Sequence, residues 1–110
     1  MYLKKLLIFF ISVIFFSSCS TADQEKKSIT IVTTTGILGD CVSQIVDGQA
    51  EVVSIMGAGV DPHLYKASQG DISKLSEADI IVYNGLHLEG KMAQMLKNFS
   101  KTKPVFAIGA

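Results

Sequence analysis

The sequence predicts an α/β fold: a parallel sheet with flanking helices. Three observations carry this. Short β-branched or apolar runs, "ITIVT", "VVSIM", "IIVY" and "VFAI", recur along the chain. Segments with helical apolar spacing lie between them. The run "IIVY" does not alternate with polar residues, which suits a strand covered on both faces. Strands that alternate with helices imply crossover units and therefore parallel pairing.

In order along the chain, "SITIVTTTG" gives a buried strand over Ile29, Thr30, Ile31, Val32 and Thr33 that ends in a glycine turn. "ILGDCVSQIVDG" follows, with Ile37, Leu38, Cys41, Val42, Ile45 and Val46 in a helical stripe. This places Cys41 on the apolar face, as a buried free thiol. Gly48 reads as the stop, and Gly39 is an unfavourable residue inside the helix. The second strand runs around Val52 to Met56. After a loop, Ser68 and Asp71 form an S-x-x-D capping box ahead of a helix near Gln69 to Glu77, with Ile72 and Leu75 buried. "ADIIVYNG" holds the third strand. "LEGKMAQMLKNFS" holds a third helix with Met92, Met95, Leu96 and Phe99 inward. Pro104 opens the fourth strand, "VFAI". The chain then stops at "AIGA", where a parallel sheet normally runs on into another helix, so the sequence reads as cut off rather than complete.

The first residues belong to no fold element. "MYLKKLLIFFISVIFFSSCS" has Lys4 and Lys5, an apolar run from Leu6 to Phe16, then Ser17, Ser18 and Cys19. That is the order of an export signal, and the run is shorter than the roughly 20 residues of a membrane span. Small residues before Cys19 and polar "STADQEKKS" after it resemble a bacterial lipoprotein signal, with Phe16 where that pattern has Leu or a smaller aliphatic. The resemblance implies cleavage before Cys19 and lipid on its thiol. Residues 1–18 are thus a signal, 19–28 a polar tether, and 29–110 a partial α/β unit. Lys and Arg number 10 and Asp and Glu 10, for a net charge of zero. With no basic patch interleaved with aromatics, nothing supports a nucleic-acid partner. No CxxC or Cys/His finger spacing occurs.

Ligands of open parallel sheets bind outside the carboxyl ends of the strands. Three loops lie there: "TTTG", "GAGVDPHLYKAS" and "NGLHLEG". The last two hold the chain's two histidines. In "DPHLY", Pro62 fixes its own φ and restricts Asp61, so His63 is presented from a stiffened backbone. Such an imidazole suits a metal, with Asp61 placed to orient its other ring nitrogen. One histidine is not a metal site, and a loop whose His63 and Tyr65 pack locally accounts for the same residues. His87 and Glu89 would complete a three-ligand set, which spacing neither supports nor excludes. The Thr33–Gly36 turn could face an anion with backbone N–H groups, but it lacks the phosphate-loop patterns, and threonine capping of the helix explains it as well.

"VTTTGILGD", "MGAGVDPHLYKAS" and "GDISKLSEADIIVYNGLHLEGKM", together with the lipoprotein-like start, resemble the zinc- and manganese-binding solute-binding lipoproteins of ABC transporters, the TroA-like family. The likeness runs from the signal to the last residue. It implies the N-terminal lobe portion of a two-lobe receptor, lobes joined by a long helix, that delivers Zn²⁺ or Mn²⁺ to a membrane permease. It implies an exported protein held to the membrane by a lipid anchor on Cys19. It implies that His63 is the first metal ligand, that the remaining ligands lie beyond residue 110, and that His87 is not a ligand. The set His63–His87–Glu89 is therefore not proposed. A metal-dependent hydrolase would need three ligands, an open position and a general base, and no H-E-x-x-H or G-x-S-x-G occurs. A lipid-anchored adhesin or interaction domain is the remaining alternative.

Overall fold

The computed structural model describes residues 1–3 and 28–109. The apolar signal run and Cys19 lie outside the described residues. So does most of the tether.

Among the described residues four strands form the sheet: β1 (Ile29–Thr35), β2 (Ala50–Met56), β3 (Ile80–Tyr83) and β4 (Val105–Ala107). Among the described residues the helices of this fold are α1 (Gly36–Val46), α2 (Gln69–Glu77) and α3 (Ala93–Phe99). All neighbouring strands pair in parallel, in the order β2-β1-β3-β4. Ile31 stands opposite Val52 on one side and Ile80 on the other, and Val82 opposite Phe106.

The order fixes the layers. The chain moves one way from β1 to β2, then the opposite way to β3 and β4. Right-handed crossovers then put α1 on one face of the sheet and α2 and α3 on the other. The packing agrees. Leu38 of α1 meets Ile31 and Val82, with Val42 and Val46 alongside. Leu75, Met92 and Leu96 meet Val32, Ile55 and Ile81 on the far face.

Helix α1 corrects two sequence expectations. Only one member of each adjacent apolar pair turns inward: Leu38, Val42 and Val46 pack on the sheet, whereas Ile37, Cys41 and Ile45 point to solvent. Cys41 is therefore an exposed free thiol, not a buried one. Gly39 is a contact residue rather than a defect. A Cβ there would sit 2.0 Å from Ser54 Oγ and 3.1 Å from Thr33 Oγ1. The helix thus lies closer to β1 and β2 than any larger residue allows. At its end, Asp47 (φ 46°) takes the left-handed cap conformation, followed by Gly48 (φ 76°).

Helix α2 begins as its sequence predicts. Ser68 Oγ accepts from Asp71 N–H at 3.2 Å, and Asp71 Oδ2 accepts from Ser68 N–H at 2.8 Å. Its far end is closed by a residue from another element. Lys103, in the turn before β4, donates to the carbonyls of Leu75 (3.0 Å), Ser76 and Ala78 (2.7 Å). Its ammonium also stands 5.6 Å from the centre of the Phe99 ring. A cation at a helix C-terminus satisfies orphan carbonyls and complements the helix dipole. Helix α3 is shorter than its apolar pattern suggested. Residues 87–92 form turns, and Met92, at 1% exposure, precedes the first helical residue.

Candidate functional site

Because all four strands are parallel, the carboxyl ends of β1, β2 and β3 open on one edge of the sheet. The strand order reverses between β1 and β3, and loops that leave adjacent strands in opposite directions open a crevice there. A cleft of about 470 Å³ lies at this edge, lined among others by Thr35, Asp40, Met56, Pro62, Asn84 and Leu88. All three loops named from the sequence therefore converge.

The β2–α2 loop carries His63. Its imidazole is exposed and makes no hydrogen bond among the described residues. The backbone beneath it is held. Asp61 Oδ1 accepts from His63 N–H at 2.9 Å, and Leu64 N–H donates to Asp61 O at 3.3 Å. Asp61 therefore folds the backbone around Pro62 rather than orienting the His63 ring, as a short acidic side chain does in an Asx-turn. Past His63, the Tyr65 hydroxyl donates to Asp71 Oδ2 at 2.7 Å, and Ser68 Oγ donates to the same oxygen at 2.7 Å. Burial raises the Asp71 carboxyl. The hydrogen bonds from Tyr65 and Ser68, with Lys74 nearby, outweigh it and hold the group below the ordinary aspartate range. The same hydrogen bond, with burial and the Asp71 charge, raises the Tyr65 phenol.

The β3–α3 loop carries His87 and Glu89, and the structure separates their roles. Glu89 is 2% exposed. Its Oε1 accepts from Thr34 Oγ1 (2.5 Å), Asn84 N–H (2.7 Å) and Asn84 Nδ2 (2.9 Å), and its Oε2 accepts from Gly85 N–H (3.2 Å). Burial raises this carboxyl, and the donors from Thr34, Asn84 and Gly85 more than reverse that. Glu89 therefore ties β1 to the end of β3 across the crevice. Both of its oxygens accept from the protein's own donors. His87 is exposed, in a left-handed backbone (φ 63°) that follows Gly85 (φ 85°) and Leu86 (φ 51°). Its imidazole makes no hydrogen bond among the described residues. Consecutive left-handed non-glycine residues are strained, and the bonds of Asn84 and Gly85 to Glu89 hold the turn that contains them.

The β1–α1 turn corrects the expected threonine cap. Thr35 occupies the cap position but makes no side-chain bond to the helix. Its hydroxyl accepts from Asn84 Nδ2 at 3.2 Å. Thr33 Oγ1 lies 3.0 Å from Ser54 Oγ, and Thr34 serves Glu89. Thr33 thus ties β1 to β2, and Thr34 and Thr35 tie β1 to the β3–α3 loop.

No three His, Cys, Asp or Glu side chains among the described residues come together as a metal-binding group. On the loop that Asp61 and Asp71 pin, His63 presents an exposed imidazole with no hydrogen bond among the described residues. A neutral imidazole on a stiff loop binds a divalent transition metal with little loss of chain entropy.

Residues 31–110 match the family model described as the periplasmic component A of the zinc-uptake complex. The manganese-binding lipoprotein MntA of Bacillus subtilis is 45% identical over 92 residues, covering 84% of this chain and 29% of that protein. The zinc-binding protein TroA of Treponema pallidum is 45% identical over 78 residues, covering 71% of this chain and 25% of that protein. Among solved structures, the periplasmic zinc-binding protein TroA of Treponema pallidum superposes with a TM-score of 0.70 at 44% identity, covering 73% of this chain and 29% of that one. The Mn-bound periplasmic metal-binding protein of Candidatus Liberibacter asiaticus gives 0.67 at 28% identity, over 74% of this chain and 30% of that one. The chain thus spans between a quarter and a third of the length of these relatives.

Proposed function

The chain belongs to the family of periplasmic zinc-uptake components, and on that premise we propose that it supplies the first lobe of a solute-binding receptor for Zn²⁺ or Mn²⁺. The observation that supports this best is His63. It stands exposed at the carboxyl edge of a parallel sheet, on a loop pinned on either side of it by Asp61 and Asp71. His63 is one ligand. The others come from outside residues 1–110. The opposing lobe closes over the cleft beside Pro62, and the ion is its cargo, captured outside the cytoplasmic membrane and passed to an ABC permease.

No chemistry is performed on the ion. Glu89, the buried carboxylate at this edge, is engaged on both oxygens by Thr34, Asn84 and Gly85, which leaves it poorly placed to serve as the general base a hydrolase needs. Cys19, as the lipidated mature N-terminus, anchors the receptor to the membrane. A diacyl anchor exceeds the marginal binding that one myristoyl chain provides.

The test is thermal unfolding of the full-length receptor, stripped of metal and then supplied with Zn²⁺, Mn²⁺ or Mg²⁺. Binding to the native state alone raises stability by mass action. Zn²⁺ or Mn²⁺ should raise the melting temperature at one ion per chain, and Mg²⁺ should not. A receptor whose melting ignores all three ions is no metal receptor.

A further inference from the structure

The course of the chain just after His63 is set by side chains. Leu64 N–H returns to Asp61 O, and the next backbone-to-backbone bond is Ile72 N–H to Ser68 O at the head of α2. Tyr65, Lys66 and Ala67 make none between them. A loop segment without such bonds samples many conformations unless its side chains hold it. Here Tyr65 and Ala67 are partly buried and pack against the core cluster on this face of the sheet. The Tyr65 hydroxyl then reaches Asp71.

Asp71 does more than a helix cap requires. The capping box is complete with Ser68 and Asp71 alone. Yet the buried carboxylate, 6% exposed, takes a third donor on the same oxygen, from a residue two positions past His63. That bond joins the loop to the rigid start of α2. Asp61 holds the backbone on the N-terminal side of His63; on the C-terminal side, the Tyr65 bond anchors the chain to Asp71 three residues before the capping box does.

We propose that Asp71, acting through the Tyr65 hydroxyl, is a positioning residue for His63: it holds the imidazole in a ligating pose before the ion arrives. This rests on the reading of His63 as an ion ligand. The cost of ordering the loop is then met during folding rather than at binding, so the bond appears in ion affinity and in the rate of release. Its removal should show there even where the fold is intact.

The experiment compares four variants of the full-length receptor by titration with Zn²⁺ and Mn²⁺, by chelator-driven release, and by melting of the metal-free protein. Tyr65→Phe keeps the ring on the core and the capping box in place. It should leave melting nearly unchanged, weaken affinity about tenfold, the low end for supporting residues of a metal site, and speed release. Ser68→Ala removes the cap and should lower melting while affinity stays within about twofold. Asp71→Asn keeps an acceptor oxygen for Tyr65 and should retain most of the affinity, whereas Asp71→Ala should lose as much as Tyr65→Phe. Unchanged affinity and release in Tyr65→Phe overturn the proposal. So does an equal affinity loss in Ser68→Ala, because helix stability would then be the cause. If wild type takes up neither ion, the receptor reading falls first and the positioning role with it.

Discussion

Replacing Glu89 by glutamine tests the knot that holds the crevice together. The carboxylate accepts four hydrogen bonds, three on Oε1 and one on Oε2. A glutamine oxygen can keep the first three. Its NH₂ group then faces Gly85 N–H, donor against donor. Three bonds to a charged acceptor become neutral, at a loss of about 1 kcal/mol each, and one buried donor is orphaned at about 1–3 kcal/mol. Relief from burying a charge offsets part of this, leaving a net cost of about 3 kcal/mol. The effect depends on pH with a definite sign. The native Glu89 carboxyl lies below its ordinary value of 4.5, so its stabilisation is fully present above that pH and is lost as pH falls through the depressed native value. Wild type and Glu89→Gln should therefore differ most at neutral pH and converge in acid. Melting between pH 7 and pH 3 gives the energetic comparison. Amide hydrogen exchange at Asn84 and Gly85, whose N–H groups donate to Glu89, gives a local one. Equal melting and equal exchange at pH 7 would refute the account of Glu89 as the tie between β1 and β3.

Two further outcomes follow from the same packing and from the signal. Gly39→Ala, favourable by helix propensity alone, should destabilise by about 1–3 kcal/mol, because the new methyl must displace Ser54 Oγ and Thr33 Oγ1; a gain in urea stability would show that α1 lies less close to the sheet. Cys19→Ser should move the protein out of the membrane fraction, and a variant that remains fully membrane-bound would contradict lipidation at that residue.

The order of elements was legible because each obeys one dominant period. The apolar run Ile80–Val82 has no polar face, and the structure covers both its faces. The Ser68–Asp71 box was legible because capping is a local matter, settled within four residues. What escaped the sequence depends on distant partners. The stripe of α1 holds apolar pairs, and periodicity cannot say which member of a pair faces the sheet. In the structure Gly39 makes the close approach to Ser54 and Thr33, Leu38 and Val42 turn inward beside it, and Cys41 lies outside. Glu89 reads in sequence as a possible ligand. Its four donors come from Thr34, Asn84 and Gly85, and Thr34 lies 55 residues away. Asp61 was expected to serve the His63 ring and instead serves its backbone, a choice between two acceptable hydrogen bonds that composition cannot make. Lys103 gave no signal at all, since its three carbonyl partners belong to the end of a different helix.

The most direct test of the central claim compares the two exposed histidines in the full-length receptor by calorimetric titration with Zn²⁺ and Mn²⁺. One pH is kept throughout, because an imidazole binds metal only when neutral. His63→Ala removes one of about four ligands and should weaken binding by about a hundredfold or more, since even supporting residues of metal sites cost 10–100-fold. His87→Ala removes a side chain with no partner among the described residues and should leave affinity within about threefold, the scatter expected for a surface substitution. Equal large losses in both variants would restore a site shared by His63 and His87. Unchanged affinity in His63→Ala would contradict the account.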